Sequence, residues 1–392
     1  MSGCLVLTGA GSSMDAGLPG AFELTSQLDA YLSAHDSEGA LRAFRFVCGG
    51  LLMGRGLRAE SPLDNLNVEE VFTAMQVLSE RETLDIAPFI GSWHSGVELV
   101  DKHSGPLYPM TNSRFLSALN DYVEERMTSP DTNHAGSGLS ERLLEVIEEA
   151  TGLRTGTGFG VAAILMLEGL KTALEPRHVT DMDYLLPLIE LASSPQCQGI
   201  ATLNYDVCIE MAAASAGQPI STAAEQWSES GVLEFPTGAI NLLKLHGSLS
   251  WRWDRISKPL PALGMADRIR EDVSGTQHPL FPVLLFGQGM KSSHEGPFAD
   301  ILWDFRRRLR ETQTLLVLGY SFRDEHINHH IARWFDGNPS RRMVILTPSF
   351  RPDTNDFCQG IAGLVPSRVR VVEGRTREAL REAIAVTQEL IG

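Results

Sequence analysis

The sequence predicts an α/β protein: a doubly wound, mostly parallel sheet, split after its first βα unit by a large helical insertion. Three observations carry this. Short, non-alternating runs rich in Val, Ile and Leu stand at 4–8, 200–203, 242–245, 283–286, 315–318, 343–346 and 369–372, the pattern of parallel strands covered on both faces. Helical patterns at 299–310, 324–335 and 376–390 separate several of the late runs, as they do where helices pack on both faces of one sheet. Between about 22 and 190 the apolar period is instead helical throughout.

Taken in order, the first strand runs straight into Gly9-Ala10-Gly11-Ser12-Ser13, followed by Ala16-Gly17-Leu18-Pro19. A buried strand ending in Gly-x-Gly delivers its carboxyl end to a phosphate: the glycines let backbone come close, and free N–H groups of the next turn hold the anion. A complete dinucleotide fingerprint would place a third glycine at position 14, which is Met14. The turn by itself therefore reads equally as a plain strand–turn–helix junction.

The helical stretch shows apolar stripes at Val68, Val71, Phe72, Met75 and Leu78, and at Phe115, Leu116, Leu119, Tyr122 and Val123. Leu143, Leu144 and Ile147, then 162–174 and 184–191, continue it. These are read as core faces. The polar, Gly-containing segment 129–138 reads as a loop. The expected organisation is a sheet domain from residues 1–30 plus 190–392, with a mainly helical insertion domain over 31–189.

Composition narrows the function. At 392 residues and 43% hydrophobic the chain supports one large or two ordinary domains. A net charge of −16 argues against a broad nucleic-acid footprint for the subunit alone. The local run Arg306-Arg307-Arg308 with Arg310 is read as the solvated face of a helix. No stretch reaches the roughly 18 apolar residues of a membrane span, and residues 1–10 lack the basic start of a signal peptide. The five cysteines are scattered with no C-x-x-C pair, which indicates neither a zinc ribbon nor a disulfide framework and fits a reducing cytoplasm. His326 and His329, in an H-x-x-H spacing beside His330, place imidazoles on one helix face as a metal site would. No carboxylate or cysteine completes a set, so they are read as a solvated or interface face.

Chemistry is expected at the strand ends. The run 200–203 ends in Asn204-Tyr205-Asp206, the run 242–245 in His246-Gly247-Ser248, and the run 315–318 in Gly319-Tyr320-Ser321-Phe322. Ligands of open α/β sheets bind outside the carboxyl ends of the strands, near the point where strand order reverses. Each group also has a plain structural reading. Asn204 and Asp206 are good caps for a following helix, His246 suits a hydrogen-bonded turn, and Gly319-x-Ser321 suits an ordinary βα turn.

In order and spacing these motifs resemble the sirtuin (Sir2-like) NAD-binding family, over residues 4–25 and about 195–350. Gly9-Ala10-Gly11-Ser12-Ser13 with Ala16-Gly17-Leu18-Pro19 is similar to its G-A-G-x-S…G-I-P opening, and Thr202-Leu203-Asn204-Tyr205-Asp206 to T-x-N-x-D. His246-Gly247 is similar to the catalytic His-Gly, 282–287 to P-x-V-x-F-G, and Gly319-Tyr320-Ser321 to the G-x-S turn. The resemblance implies a Rossmann-like sheet with NAD as substrate. It implies that Asn204 holds the nicotinamide-ribose hydroxyls or the attacking water, that Asp206 holds the carboxamide, and that His246 is the general base. Gly9, Ala10, Gly11, Ser12, Ser13, Thr202, Gly247, Gly319, Ser321 and Asp324 would then form the dinucleotide-binding set.

The departures from that family point to a subtype. Deacylases carry a four-cysteine zinc module after the His-Gly, bordering the acyl-lysine channel, and 248–281 contains no cysteine here. Gly20-Ala21-Phe22-Glu23-Leu24 stands in place of the D-F-R that follows G-I-P. Residues 319–328, Gly-Tyr-Ser-Phe-Arg-Asp-Glu-His-Ile-Asn, match the G-Y-S-F-x-D-x-H-I-N turn of zinc-free bacterial anti-phage effectors. Those are the Sir2 subunits paired with HerA-type ATPases and the Thoeris effector. This resemblance implies an NAD+ hydrolase releasing nicotinamide and ADP-ribose, without metal, as a homo-oligomer with a HerA-type ATPase partner. The alternative from another class is a catalytically silent NAD- or ADP-ribose-binding subunit of an ATPase complex, and the third is a deacylase or ADP-ribosyltransferase. Hydrolysis is chemically plausible without a metal: the nicotinamide leaving group is already cationic, so the protein must supply positioning and charge complementarity around an oxocarbenium-like state. An imidazole, whose charge changes nearest neutral pH, suits the base.

Overall fold

The computed structural model describes residues 3–35, 38–58, 66–89, 94–103, 157–176, 178–255, 267–271, 282–286 and 297–391. Its strands are β1 (Cys4–Thr8), β2 (Cys197–Thr202), β3 (Ile220–Ser221), β4 (Ile240–Lys244), β5 (Gly247–Arg255), β6 (Asp267–Glu271), β7 (Pro282–Leu284), β8 (Thr314–Leu318), β9 (Arg342–Thr347) and β10 (Val369–Glu373). Seven of them form one parallel sheet in the order β10-β9-β8-β1-β2-β4-β3. From β1 the chain builds outward on one side and then returns to add β8, β9 and β10 on the other. The order therefore reverses between β1 and β8, the switch point of an α/β Rossmann-like sheet.

Period-two alternation splits the strand residues between two buried clusters. Cys4, Val6, Ile200, Leu242, Leu316, Leu318, Val344 and Leu346 face one side. Leu5, Leu7, Ala201, Leu243, Leu315, Val317, Met343 and Ile345 face the other. Both faces are covered, which is why these runs are continuously apolar rather than alternating.

The first face is covered by α1 (Ala21–His35), α2 (Glu38–Leu57), α3 (Val68–Glu80), α4 (Ser95–His103), α5 (Gly158–Ala173), α6 (Leu186–Ala192) and α7 (Cys208–Ser215), together with the C-terminal helix 376–391. Among the described residues no strand lies between β1 and β2. Asn67 starts α3 by accepting the Glu69 amide at 3.0 Å, and Val68, Val71, Phe72 and Met75 are buried as the stripe requires, with Leu78 half-buried. α5 is apolar almost all round because it runs through the middle of α1, α2 and α3. The helical stretch and this sheet face share one contiguous core. The stripes at 115–123 and 143–147 and the loop at 129–138 lie outside the described residues.

The second face is covered by α9 (Phe298–Glu311), α10 (Glu325–Asp336) and α11 (Asp356–Ala362); α8 (Ala224–Ser230) and α12 (Thr376–Ile391) are the remaining helices among the described residues. The arginine run does not form one solvated face. Helical period turns Arg308 inward, where it binds Asp304 and the Gln198 carbonyl and pins α9 to β2, while Arg306 and Arg310 stay exposed.

One strand differs in kind from the expectation. The run 283–286 was expected in the parallel sheet, but β7 pairs antiparallel with β5 in a separate sheet of order β6-β5-β7. A three-residue apolar strand carries no directional signal, and β5 offers the edge it joins. Gly247, at φ +84°, turns the chain from β4 into β5, and a Cβ there would land on the Val283 carbonyl.

Candidate functional site

The carboxyl ends of β1, β2 and β8 open onto one cavity of about 630 Å3, within the roughly 300–1,000 Å3 usual for cofactor-sized sites. Its floor is two glycine turns laid against each other. The Gly9 amide donates to the Leu318 carbonyl at 3.0 Å, and the Gly11 amide to the Gly319 carbonyl at 2.9 Å. A Cβ on Gly9 would stand 2.8 Å from Tyr320 Cα, and one on Gly11 2.8 Å from Gly319 Cα. Gly319 itself sits at φ +59° with the Gly11–Ser12 backbone against it. The glycines are thus required by turn-on-turn packing, a reason different from the phosphate approach read from the sequence. After the first turn the chain makes two short 3-10 turns, Ala10–Ser12 and Met14–Ala16, before α1. No helix springs directly from the strand, so position 14 tolerates Met14.

Asn204, buried at the end of β2, does not cap a helix. Its Nδ2 donates to the Gly9 carbonyl at 3.1 Å, to Ser12 Oγ at 3.2 Å and to Ser13 Oγ at 3.0 Å, while its own amide donates to Thr202 Oγ1 at 3.1 Å. Three acceptors thus hold the side-chain amide through Nδ2, and Thr202 holds the backbone. Asp206 does take a capping role: Oδ1 accepts the Cys208 amide at 3.0 Å at the start of α7. Its carbonyl accepts from the fully buried Lys244 Nζ, which also pairs with Glu210 at 3.0 Å. Burial pushes the Glu210 carboxyl above its ordinary range, with Lys244 opposing.

Between these two, the Tyr205 hydroxyl donates to Glu69 Oε1 at 3.0 Å and to the Leu285 carbonyl at 3.2 Å. Burial, reinforced by the Glu69 carboxylate, holds this phenol well above its usual titration range, so it remains a donor. Its ring lies 6.2 Å from that of His246. His246 is buried at the end of β4 with Nε2 3.1 Å from Asp324 Oδ2. The other oxygen of Asp324 accepts the Ile327 amide at 3.1 Å and caps α10.

The turn carrying Asp324 is held from within. Asn328 Nδ2 donates to the Phe322 carbonyl at 2.6 Å, as does Asn355 Nδ2 at 2.6 Å, and Phe322 is kept at φ 57°. The Tyr320 hydroxyl donates to Asn328 Oδ1 at 2.9 Å and to the Asp324 carbonyl at 3.1 Å. A non-glycine residue in the left-handed region costs of order 1–3 kcal/mol and persists only where its surroundings over-determine it.

Gly9, Ala10, Gly11, Ser13, Asn204, Asp206, His246, Gly319, Ser321 and Asp324 therefore line one cavity. Ser12, Thr202 and Gly247 stand behind its wall instead: the Ser12 hydroxyl donates to the Gly9 carbonyl at 2.8 Å, Thr202 supports Asn204, and Gly247 reverses the chain. Residues outside the expected site set also line it, among them Glu69, Tyr205, Arg323 and Arg375, of which Arg323 stands inside the 319–328 turn. Tyr205 was in view inside its motif. Glu69 arrives on a helix far from any strand end and carries no local signal. His326 and His330 point their Nε2 atoms at each other 3.1 Å apart, and among the described residues no group of three or more His, Cys, Asp or Glu is gathered for a metal. Among those residues, too, no helix is long and apolar enough to cross a membrane.

A parallel, doubly wound sheet with a cavity at its switch point and a glycine-turn floor defines a dinucleotide-type α/β protein. Residues 198–361 match the family model described as a SIR2-like domain, and that part of the chain is Sir2-like. No curated protein matches the chain. Among solved structures, one similar chain is a mutant Sir2 homologue in complex with ADP-ribose, at 12% identity over 98% of this chain and 92% of that one, with a TM-score of 0.34. Another is a Sir2 homologue in complex with NAD, at 14% identity over 66% of this chain and 98% of that one, with a TM-score of 0.36. Those ligands are the two homologues' own.

Proposed function

We propose that this protein is an NAD+ glycohydrolase. The observation that carries the reading is the convergence of Asn204, Asp206 and His246 on one cavity floored by the Gly9–Gly319 turns. The cavity carries charges of both signs. Glu69 and Asp206 are among the lining carboxylates, which favour a cationic nicotinamide ribose, and Arg323 and Arg375 are lining cations available to a diphosphate.

In the reaction the ribose C1′–N bond breaks and its electron pair returns to the pyridinium ring, releasing neutral nicotinamide. A water oxygen bonds to C1′ and its proton passes to His246, leaving ADP-ribose. Asn204, its side-chain amide held by three acceptors, positions the ribose hydroxyls or the water, and Asp206 the carboxamide. Positioning of this kind and one general base each contribute orders of magnitude in rate. The subtype turn at 319–328 supports the finer reading of an anti-phage effector that depletes NAD as a homo-oligomer under a HerA-type partner.

The test is incubation of the pure full chain with NAD, with products separated by chromatography. Release of nicotinamide and ADP-ribose, lowered roughly 10²–10⁴-fold in His246→Ala and also lost in Asn204→Ala, is the expected result. NAD-dependent thermal stabilisation without any product would instead identify a silent binding subunit.

A further inference from the structure

We propose that Asp324 is the positioning residue of His246, and that its place in the cavity serves the imidazole rather than the dinucleotide. This rests on the glycohydrolase reading, which it deepens. Three observations meet at this side chain. Asp324 Oδ2 lies 3.1 Å from His246 Nε2, and both groups are largely shielded from solvent. Its other oxygen is committed to the Ile327 amide at the start of α10, so the carboxylate has one oxygen for the helix and one for the ring. The backbone that delivers it is the over-determined turn, with Phe322 held at φ 57° by two asparagine amides and Tyr320 bonded to the Asp324 carbonyl. Strain stored in a turn is expected where the position of a side chain matters.

The chemistry follows from the pairing. When water attacks C1′ and His246 takes the proton, the ring becomes a cation in a buried site, a state that is costly unless an anion adjoins it. Asp324 supplies that anion, its Oδ2 held 3.1 Å from the ring. The side chain that caps α10 is thereby tied to the end of β4, across the two strands and the turn that lie between them in the fold.

The experiment uses two substitutions that keep the helix cap, since serine and asparagine cap as well as aspartate. Asp324→Ser is too short to reach the ring; Asp324→Asn reaches it without charge. For the full chain with NAD as substrate, kcat is expected to fall about 10- to 100-fold in Asp324→Ser, a share of what a general base supplies, with a smaller fall in Asp324→Asn and KM within about twofold of the parent in both. A raised KM with kcat intact would show that Asp324 holds the dinucleotide and would overturn the proposal, as would an unchanged kcat. A second measurement does not depend on turnover: an exchange-protected ring N–H of His246, identified in proton NMR by its loss in His246→Gln, should be present in the parent and lost in Asp324→Ser. Its persistence in Asp324→Ser refutes the pairing. A parent chain that leaves NAD intact refutes the glycohydrolase reading, while the N–H signal still decides the role of Asp324.

Discussion

Replacing Gly319 by alanine tests the claim that the floor of the site is two turns packed backbone to backbone. At φ +59° an alanine is in the left-handed region, which costs about 1–2 kcal/mol. Its Cβ would fall on the Ser12 amide nitrogen and the Gly11 carbonyl carbon, and 2.7 Å from Gly11 Cα. None of these is the end of a flexible side chain, so the turns must part, and overpacking of this kind costs about 1–3 kcal/mol. The expected loss is about 2–5 kcal/mol, a large part of the roughly 5–15 kcal/mol that holds a typical domain folded. Gly17 is the matched control: its φ is +84°, yet a Cβ there meets nothing within 4 Å. Gly17→Ala should lose only the backbone share, about 1–2 kcal/mol, and the entropy each alanine removes from the unfolded chain cancels in the comparison. Urea unfolding followed by circular dichroism and tryptophan fluorescence gives both values. If Gly319→Ala is no less stable than Gly17→Ala, the turns do not pack as described.

Two further outcomes follow from the buried groups and the motif pattern. Glu271 accepts the Thr222 hydroxyl at 2.8 Å, and its carboxyl is pushed up from 4.5 to about 7, first by burial and then by neighbouring Glu210, against the opposing pull of Thr222 and Lys244. Because the folded state favours the protonated form, this group's contribution to stability is full below about pH 4.5 and is lost as pH rises through about 7. At about 1.4 kcal/mol per pKa unit, Glu271→Gln should be more stable than the parent by up to about 3 kcal/mol at pH 8 and close to it at pH 4, read by urea unfolding at both; a gain of equal size at pH 4 would refute the cause. With no cysteine anywhere in 248–281, treatment with EDTA should leave melting temperature and NAD turnover unchanged, and stoichiometric zinc by elemental analysis would contradict this.

What could be read in the chain was what local pattern encodes. Strands buried on both faces announce themselves as unbroken apolar runs, and β1, β2, β4, β8, β9 and β10 stand where those runs are. Their polar ends were legible for the same reason, since Asn204, Asp206 and His246 each interrupt such a run. Direction of pairing is not local, and nothing in the sequence separates β7 from the parallel strands, because Val283 is as apolar beside β5 as it would be in the main sheet. β5 and β6 mix arginine and acidic residues with tryptophan and isoleucine, a pattern that does not stand out until the two strands are paired. Glu69 and the His246–Asp324 contact were invisible because each depends on segments brought together only by the complete fold.

The residues that line the cavity are spread from Gly9 to Arg375, and its floor joins the first strand to a turn more than three hundred positions later. Non-local pairing of this kind pays its loop-closure entropy before any contact rewards it, so it forms late. During synthesis the Gly9 turn therefore emerges long before the residues it must meet, and at roughly 5–20 residues per second the ribosome spends many seconds holding an incomplete cavity. A nascent chain that ends with β8 has neither Asp324 nor the second turn. For the NAD+ glycohydrolase proposed above, a copy cut short of the second turn would lack the complete cavity, and cleavage would begin only with a finished sheet.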